Sequence, residues 1–319
     1  MLILIAVAAI SIVIVILARR YVLHNQIRIG FRTEFLTRPD GYESLSQHYG
    51  FKFRPEPKQM NPSAIYKALT DGSVDVINGF ATDGYIPVYD LAALEDDKSC
   101  FPPQRAAPIV RSETLEKHPE IGEIPNRLEG RIANETMRNL NYEVEYKGHT
   151  PVDAARQSLV SEGLIPPDAR QGDGSAGNVN IGSKGTTEQH ILGEIMAILI
   201  EYSSDIQVVR MFNLGDTMTC FNALKAGDID LYAEYTGIGM MDILRQEIIL
   251  DSDKLYKIVK GAFGSKYGII WLKLFGFSNT HILIMRRDNA EELGIATISD
   301  LARYVGWRRG GAAPLAGQF

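Results

Sequence analysis

Apolar and polar positions recur at two periods along this chain, and each period marks a kind of element. Ile27-Arg28-Ile29-Gly30-Phe31 alternates residue by residue and predicts a strand, as does Phe51-Lys52-Phe53. Ile191, Ile195 and Leu199 recur at helical spacing with Leu192 and Met196 beside them. Thr186 stands at the N-cap of that helix and Gln189 at the capping-box position. Leu115 to Met137 reads as helix in pieces, interrupted by Pro119 and Pro125, and Pro151 to Leu159 as a further helix. Val179-Asn180-Ile181-Gly182 and Gln207 to Phe212 predict strands, and Asp96-Asp97-Lys98 with Pro102-Pro103 marks a loop. Strand and helix alternate in each half, the order expected of mixed α/β lobes with largely parallel sheets.

One phrase occurs twice. Ala68-Leu69-Thr70-Asp71-Gly72-Ser73-Val74-Asp75 is followed by Phe80, and Ala223-Leu224-Lys225-Ala226-Gly227-Asp228-Ile229-Asp230 by Tyr235. Each copy reads as the end of a helix, a glycine stop and a buried strand, Val74-Asp75-Val76-Ile77 or Ile229-Asp230-Leu231-Tyr232. A phrase repeated once, far apart, predicts two similar lobes rather than a repeat array. Phe80 and Tyr235 then fall just past the carboxyl ends of their strands, the ligand edge of open α/β sheets. The alternative for both is a place in the core.

Two segments stand apart. Leu2 to Ala18 is apolar except for Ser11, and Arg19-Arg20 follow. The run is at the lower limit for crossing a bilayer, where about 20 residues are usual. No basic stretch precedes it and no small-residue cleavage site follows, so a retained transmembrane helix at 1–20 is expected, anchoring the chain through residues 1–18. A buried helix is the alternative, and the arginine pair by itself favours a cytoplasmic body. Ile165 to Asn178 reads as a linker, with Pro166-Pro167 and then Gly172-Asp173-Gly174-Ser175-Ala176-Gly177.

Composition narrows the chemistry. The 319 residues are 45% hydrophobic and 23% charged, with length enough for two domains. A net charge of −6, without a basic stripe, argues against a nucleic-acid partner. Cys100 and Cys220 are the only cysteines; they form no Cys-x-x-Cys, and a pairing between them is left open. Histidines 24, 48, 118, 149, 190 and 281 lack metal-ligand spacing, so neither a metal nor a cofactor is expected. Asn134-Glu135-Thr136 fits a glycosylation sequon, read as a chance match. No nucleophile–base pair is visible, and Cys220 in an apolar helix reads as packing, so an enzyme is not expected.

Longer strings carry a resemblance. Ile181-Gly182-Ser183-Lys184, Thr187-Glu188-Gln189 and Leu192-Gly193-Glu194 are similar to the opening of the glycine-betaine/choline receptors of osmoprotectant ABC importers. Leu214-Gly215-Asp216-Thr217, Asp230 to Gly237 and Gly276-Phe277-Ser278-Asn279-Thr280 continue the likeness. So do Glu34-Phe35-Leu36-Thr37-Arg38-Pro39-Asp40-Gly41-Tyr42, Thr82-Asp83-Gly84, Asp96-Asp97-Lys98 and Phe101-Pro102-Pro103. The likeness runs from residue 27 to 302, with the halves exchanged. The half that is second in the family occupies 27–164 here, the linker 165–177, the family's first half 178–302, and a tail 303–319. The resemblance thus implies a two-lobed type-2 periplasmic-binding-protein fold in circularly permuted order, behind one transmembrane helix. Two chains that complete each other by a domain swap are the alternative topology.

The same resemblance implies a function and a site. The function is that of the substrate-binding component of an ABC importer, closing two lobes around a quaternary ammonium such as glycine betaine or choline. Its partners would be permease and ATPase subunits, with the receptor held on the outer face of the cell membrane. Methylated ammonium has no N–H to donate, so aromatic faces hold it through cation–π attraction. Tyr235 matches a cage tyrosine, while Phe80, His281 and Gln104 stand where the family reads tyrosine. Lys184 and Arg38 match the carboxylate clamp, Thr236 and Asn279 fall inside the same strings, and Ile238 replaces a clamp threonine. Each lost wall costs on the order of 1 kcal/mol, so two would weaken betaine binding roughly tenfold to a hundredfold or shift the ligand toward a less methylated amine. The residues alone allow blander roles: a solvated lysine at a helix start for Lys184, an ion pair with Asp40 or Glu34 for Arg38, a core position for His281. A membrane-tethered sensor on the same fold, and a rearranged product that binds nothing, are the competing readings.

Overall fold

The structure, a computed structural model, describes residues 27–307 except Pro39 and Arg170. The expected transmembrane run at 1–20 and the end of the tail lie outside the described residues. Among the described residues no helix is long and apolar enough to cross a membrane. The strands are β1 (Ile29–Arg32), β2 (Lys58–Met60), β3 (Val76–Phe80), β4 (Leu91–Leu94), β5 (Ala106–Arg111), β6 (Asn178–Gly182), β7 (Gln207–Met211), β8 (Leu231–Tyr235), β9 (Ile269–Trp271) and β10 (His281–Arg286). The helices of eight or more residues are α1 (Tyr42–Tyr49), α2 (Pro62–Thr70), α3 (Asn134–Glu145), α4 (Pro151–Ser161), α5 (Thr187–Ser203), α6 (Thr217–Ala226), α7 (Ser252–Tyr267) and α8 (Ile298–Trp307). The expected tail at 303–319 is therefore helical as far as Trp307.

The chain forms two compact units, one from residues up to Asn78 together with those from Leu283 onward, the other from Gly79 to Ile282. Two five-stranded sheets run in the orders β2-β1-β3-β10-β4 and β7-β6-β8-β5-β9. In both, the second and third strands of a β-helix-β-helix-β run flank the first in parallel register: β1 with β2 and β3, β6 with β7 and β8. The second sheet is mixed rather than largely parallel, because β5 runs antiparallel to β8 and β9.

The repeated phrase builds the same joint in each unit. Gly72 (φ 75°) and Gly227 (φ 85°) take the left-handed conformation that ends α2 and α6. The aspartate that follows then ties the third strand to the first. Asp75 N–H donates to the Arg28 carbonyl at 2.7 Å, and its carboxylate accepts from Arg28 N–H at 2.9 Å. Asp230 N–H donates to the Asn180 carbonyl at 2.7 Å, and its carboxylate accepts from Asn180 N–H at 2.8 Å. The strands start two residues later than the apolar run suggested, so Phe80 and Tyr235 are their last residues.

Layers in the second unit follow from strand alternation. Ala106, Val110, Leu231 and Ala233 face a core shared with α3, α4 and α5, whereas Ala107, Ile109 and Tyr232 face one shared with α6 and α7. The central helix, α5, is buried nearly all round rather than along one stripe, and even Glu188, Glu194 and Glu201 are covered. Arg210 on β7 answers two of those charges, at 2.8 Å from Glu194 and 2.9 Å from Glu201. Thr186 precedes α5 but makes no side-chain cap, and Gln189 closes no capping box. Residues 171–177 are not a loose tether. Gly172 N–H donates to the Glu201 carbonyl at 2.7 Å, and Ala176 N–H to the Asp205 carbonyl at 3.1 Å.

In the first unit Phe51-Lys52-Phe53 is not a strand. Its alternation reflects two buried rings: Phe53 N–H donates to the Tyr42 hydroxyl at 3.0 Å, and the Phe53 ring meets Phe31 and Phe51 at 5.9 and 4.9 Å. The edge strand beside β1 is Lys58–Met60.

Burial raises the Asp75 carboxyl pKa, but the Arg28 side chain and backbone N–H together with Arg286 outweigh it and hold the group below its ordinary range. A depressed carboxyl contributes stability that is present above the unfolded value, about 4, and is lost as pH falls through the folded one. Asp75→Asn is expected to lower the unfolding free energy at pH 7 by about 2 kcal/mol. In urea titrations that deficit should shrink steadily below about pH 4.

Candidate ligand-binding site

Three stretches of the second unit converge at the carboxyl end of β8. Main-chain and hydroxyl contacts fix them. Thr236 N–H donates to the Arg105 carbonyl at 3.0 Å, and Asn279 N–H to the Gln104 carbonyl at 3.0 Å. Gln104 N–H donates to the Ser278 hydroxyl at 3.0 Å, and the Thr280 hydroxyl to the Pro102 carbonyl at 2.8 Å. The Thr236 hydroxyl accepts from Arg105 N–H at 3.1 Å. Thr236 is fully buried and acts as a splint for this backbone.

At the centre lies Glu188, in the first turn of α5 and buried. Its Oε1 accepts from the Tyr235 hydroxyl at 2.5 Å and from Asn279 Nδ2 at 2.9 Å. Its Oε2 accepts from the Thr82 hydroxyl at 2.6 Å and from Asn141 Nδ2 at 3.2 Å. Burial pushes the Glu188 carboxyl up, against the pull of those four donors. Burial, then the neighbouring carboxylate, pushes the Tyr235 hydroxyl well above its ordinary value. Gln189 is buried beside that hydroxyl with its amide outside hydrogen-bond geometry.

Lys184 is not a solvated helix-start lysine. It is buried, and its Nζ lies 2.5 Å from Glu234 Oε1 on β8 and 5.2 Å from the Tyr235 ring centre. Glu234 also accepts from the Tyr232 hydroxyl at 3.0 Å and from Tyr235 N–H at 2.8 Å. One face of the expected cage tyrosine thus already carries a cation, supplied by the chain itself. Nearby Cys220 is buried and its thiol is pushed up to about 11 by that burial, which suits packing rather than nucleophilic work. No disulfide joins it to Cys100.

The other expected wall residues fall into two groups. Phe80 and His281 stack on each other, centroids 4.7 Å apart at 27°, with Phe101 6.0 Å from the imidazole. Gln104 lies against the turn after β8: its Oε1 accepts from Ile238 N–H at 3.1 Å, and a side chain on Gly237 would strike it. Arg38 belongs to the first unit and forms a two-pronged pair with Asp40, at 2.7 and 3.0 Å. Sequence reasoning assigned no role to Glu188, Glu234, Thr82 or Asn141. A signal existed for one of them. Glutamate inside the otherwise apolar strand Leu231-Tyr232-Ala233-Glu234-Tyr235 requires a buried counter-charge.

A family described as the substrate binding domain of ABC-type glycine betaine transport systems matches residues 17–160 and 177–317. The chain belongs to that family. Its two α/β units are the two lobes of a periplasmic-binding-protein fold, and its relatives are solute receptors of transporters rather than enzymes. It is 38% identical over 136 residues to the carnitine transport binding protein OpuCC of Listeria monocytogenes, across 42% of this chain and 44% of that one. It is 35% identical over 144 residues to a glycine-betaine-binding protein of Pseudomonas aeruginosa, across 45% and 46%. It is 34% identical over 143 residues to the ergothioneine transport permease/ergothioneine binding protein EgtU of Helicobacter pylori, across 44% and 26%. The chain thus spans less than half the length of these relatives.

Replacing Lys184 by methionine keeps the stem and removes the charge, leaving Glu234 buried without its cation. Thermal or urea unfolding of Lys184→Met is expected to show a loss of about 3 to 5 kcal/mol. Pairing it with Glu234→Gln should recover a substantial part.

Proposed function

We propose that this chain is the receptor component of an ABC importer for a quaternary or partly methylated amine of the glycine betaine, choline and carnitine class. Permease and ATPase subunits are its partners, and the receptor works on the outer face of the membrane. The observation that carries the reading is the ring set at one edge of the second unit. Tyr235 has a cation on its face, and the Phe80–His281 stack stands at the strand ends matching the family's cage positions. Tyr235, Phe80, His281 and Gln104 form the walls; Lys184, Thr236 and Asn279 supply polar contacts and support. His281 and Gln104 offer hydrogen-bonding edges in place of π faces, which favours a ligand with fewer methyl groups or an added polar group.

The exchanged order of the halves is part of this proposal. Three observations support it. The family match is interrupted at 161–176, where the linker lies. Each pairwise match ends within 136 to 144 residues although the family match covers both halves, as expected when a collinear alignment can follow one half at a time. The unit that contains the linker is continuous in sequence, and the other is assembled from both ends of the described chain.

Calorimetric titration of the full chain with glycine betaine, choline, carnitine and ergothioneine tests the ligand class. Binding of at least one is expected, with Tyr235→Ala weakening it by a factor of ten or more. His281→Tyr should strengthen glycine betaine binding by about fivefold, the worth of one restored ring face near 1 kcal/mol. No heat with any of the four would end the proposal.

A further inference from the structure

Glu188 poses a question that ligand contact does not answer. A carboxylate offers about four acceptor positions, and all four partners here are donors: two hydroxyls and two amides. None of them is a cation. A well-packed apolar side chain at such a site is often neutral or stabilising relative to a buried charge, whereas a fully satisfied polar network fixes one arrangement of the groups around it. The four partners come from four stretches of chain. Tyr235 ends β8, Asn141 lies on α3, Thr82 follows β3 by two residues and Asn279 precedes β10 by two. Thr82 and Asn279 therefore sit two residues from Phe80 and His281, the stacked pair, and both lie at the ends of the second unit. Asn141 braces this further, because the same Nδ2 donates to the Thr82 carbonyl at 2.9 Å, while Arg138 Nε donates to the Ala81 carbonyl at 2.6 Å. Asn279, through its N–H to the Gln104 carbonyl, extends the control to the fourth wall position.

We propose that Glu188 is a positioning residue that sets the geometry of the ligand-contacting rings, holding Tyr235 directly, Phe80 through Thr82, and His281 and Gln104 through Asn279. As a statement about binding it rests on the ligand reading above; as a statement about ring geometry it stands without it. One carboxylate converts four separate stretches into a single platform. Its two acceptor oxygens matter because all four partners donate to them. In Glu188→Gln one oxygen becomes an NH2 that faces two donors. A hydroxyl can turn to accept from it, and Asn279 can turn its Oδ1 toward it, but Asn141 cannot turn without giving up its bond to the Thr82 carbonyl.

The test uses the full chain, in detergent, with side-chain-labelled histidine and phenylalanine. In the ligand-free wild type the Phe80–His281 ring contact should appear as a cross-relaxation peak. In Glu188→Gln that peak should be lost or weakened at least threefold while far-ultraviolet circular dichroism stays unchanged. Affinity for glycine betaine or carnitine should fall at least tenfold. If Glu188→Gln does not fold, Thr82→Val and Asn279→Ala carry the test: the first should displace mainly the Phe80 resonances, the second mainly those of His281. An unchanged ring contact with affinity within twofold of wild type overturns the proposal, as does a pair of fallback variants that move neither ring. If the wild type binds none of the amines, the ligand reading fails, and the ring contact alone decides whether Glu188 positions the pair.

Discussion

The tie between each repeat aspartate and the first strand of its sheet is the constraint from which the rest of the geometry follows. A parallel pair has no hairpin to set its register, so something else must. Here Asp75 and Asp230 do it by closing a two-bond ring on Arg28 and Asn180. A slip of one residue would turn every side chain of β3 or β8 to the opposite face. It would move Phe80 and Tyr235 away from the strand end and put Tyr232 into the wrong core. The glycine three residues before each aspartate completes the device, because only a left-handed turn brings the helix end back in time for the tie.

Above that frame the second unit buries four glutamates, and they are answered in two ways. Glu194 and Glu201 share Arg210. Glu234 takes Lys184 along with a tyrosine hydroxyl and a backbone N–H. Glu188 takes neutral donors only. A cation partner neutralises a charge, so such pairs mainly solve a burial problem. Neutral donors instead use the two carboxyl oxygens to hold other groups, and this separates Glu188 from its neighbours on the same helix. The Lys184 pair has a second effect, since it parks an ammonium against Tyr235 and fixes which part of that ring is left for other contacts.

The frame was readable in the sequence because it repeats. Two copies of one phrase identified paired lobes, the glycine turns and the aromatic strand ends, and the proline breaks before α3 were equally plain. What was missed shares one cause: side chains satisfied by distant partners leave no periodic trace. Gln189 carried a capping-box spacing, yet it turns inward because α5 is a core helix. Phe51 and Phe53 alternate as a strand would, yet the Tyr42 hydroxyl takes the N–H that a ladder would have used. The roles of Thr82, Asn141 and Glu188 depend on separations of 47 to 106 residues, which spacing arguments cannot reach. The strings around them were still visible as a family likeness, which marks these stretches of chain without giving their contacts.

The proposed exchange of halves also has a physical requirement. Joining the usual ends of a domain in a new place is tolerated when the joint adds little disorder and crosses no core. A glycine-rich stretch suggests a flexible tether, which would satisfy the second condition but not the first. The contacts around 172–177 satisfy both. Gly172 lies so close to the Ser204 carbonyl that a side chain there would collide with it, and Gln207 N–H is taken by the Gly177 carbonyl at 2.9 Å. The joint is thus laid along the end of α5 and the start of β7, inside the unit that is continuous in sequence. Its glycines serve close approach rather than freedom. A permuted chain built this way starts β6 from a fixed point, so the Asp230 tie meets a first strand that is already in place.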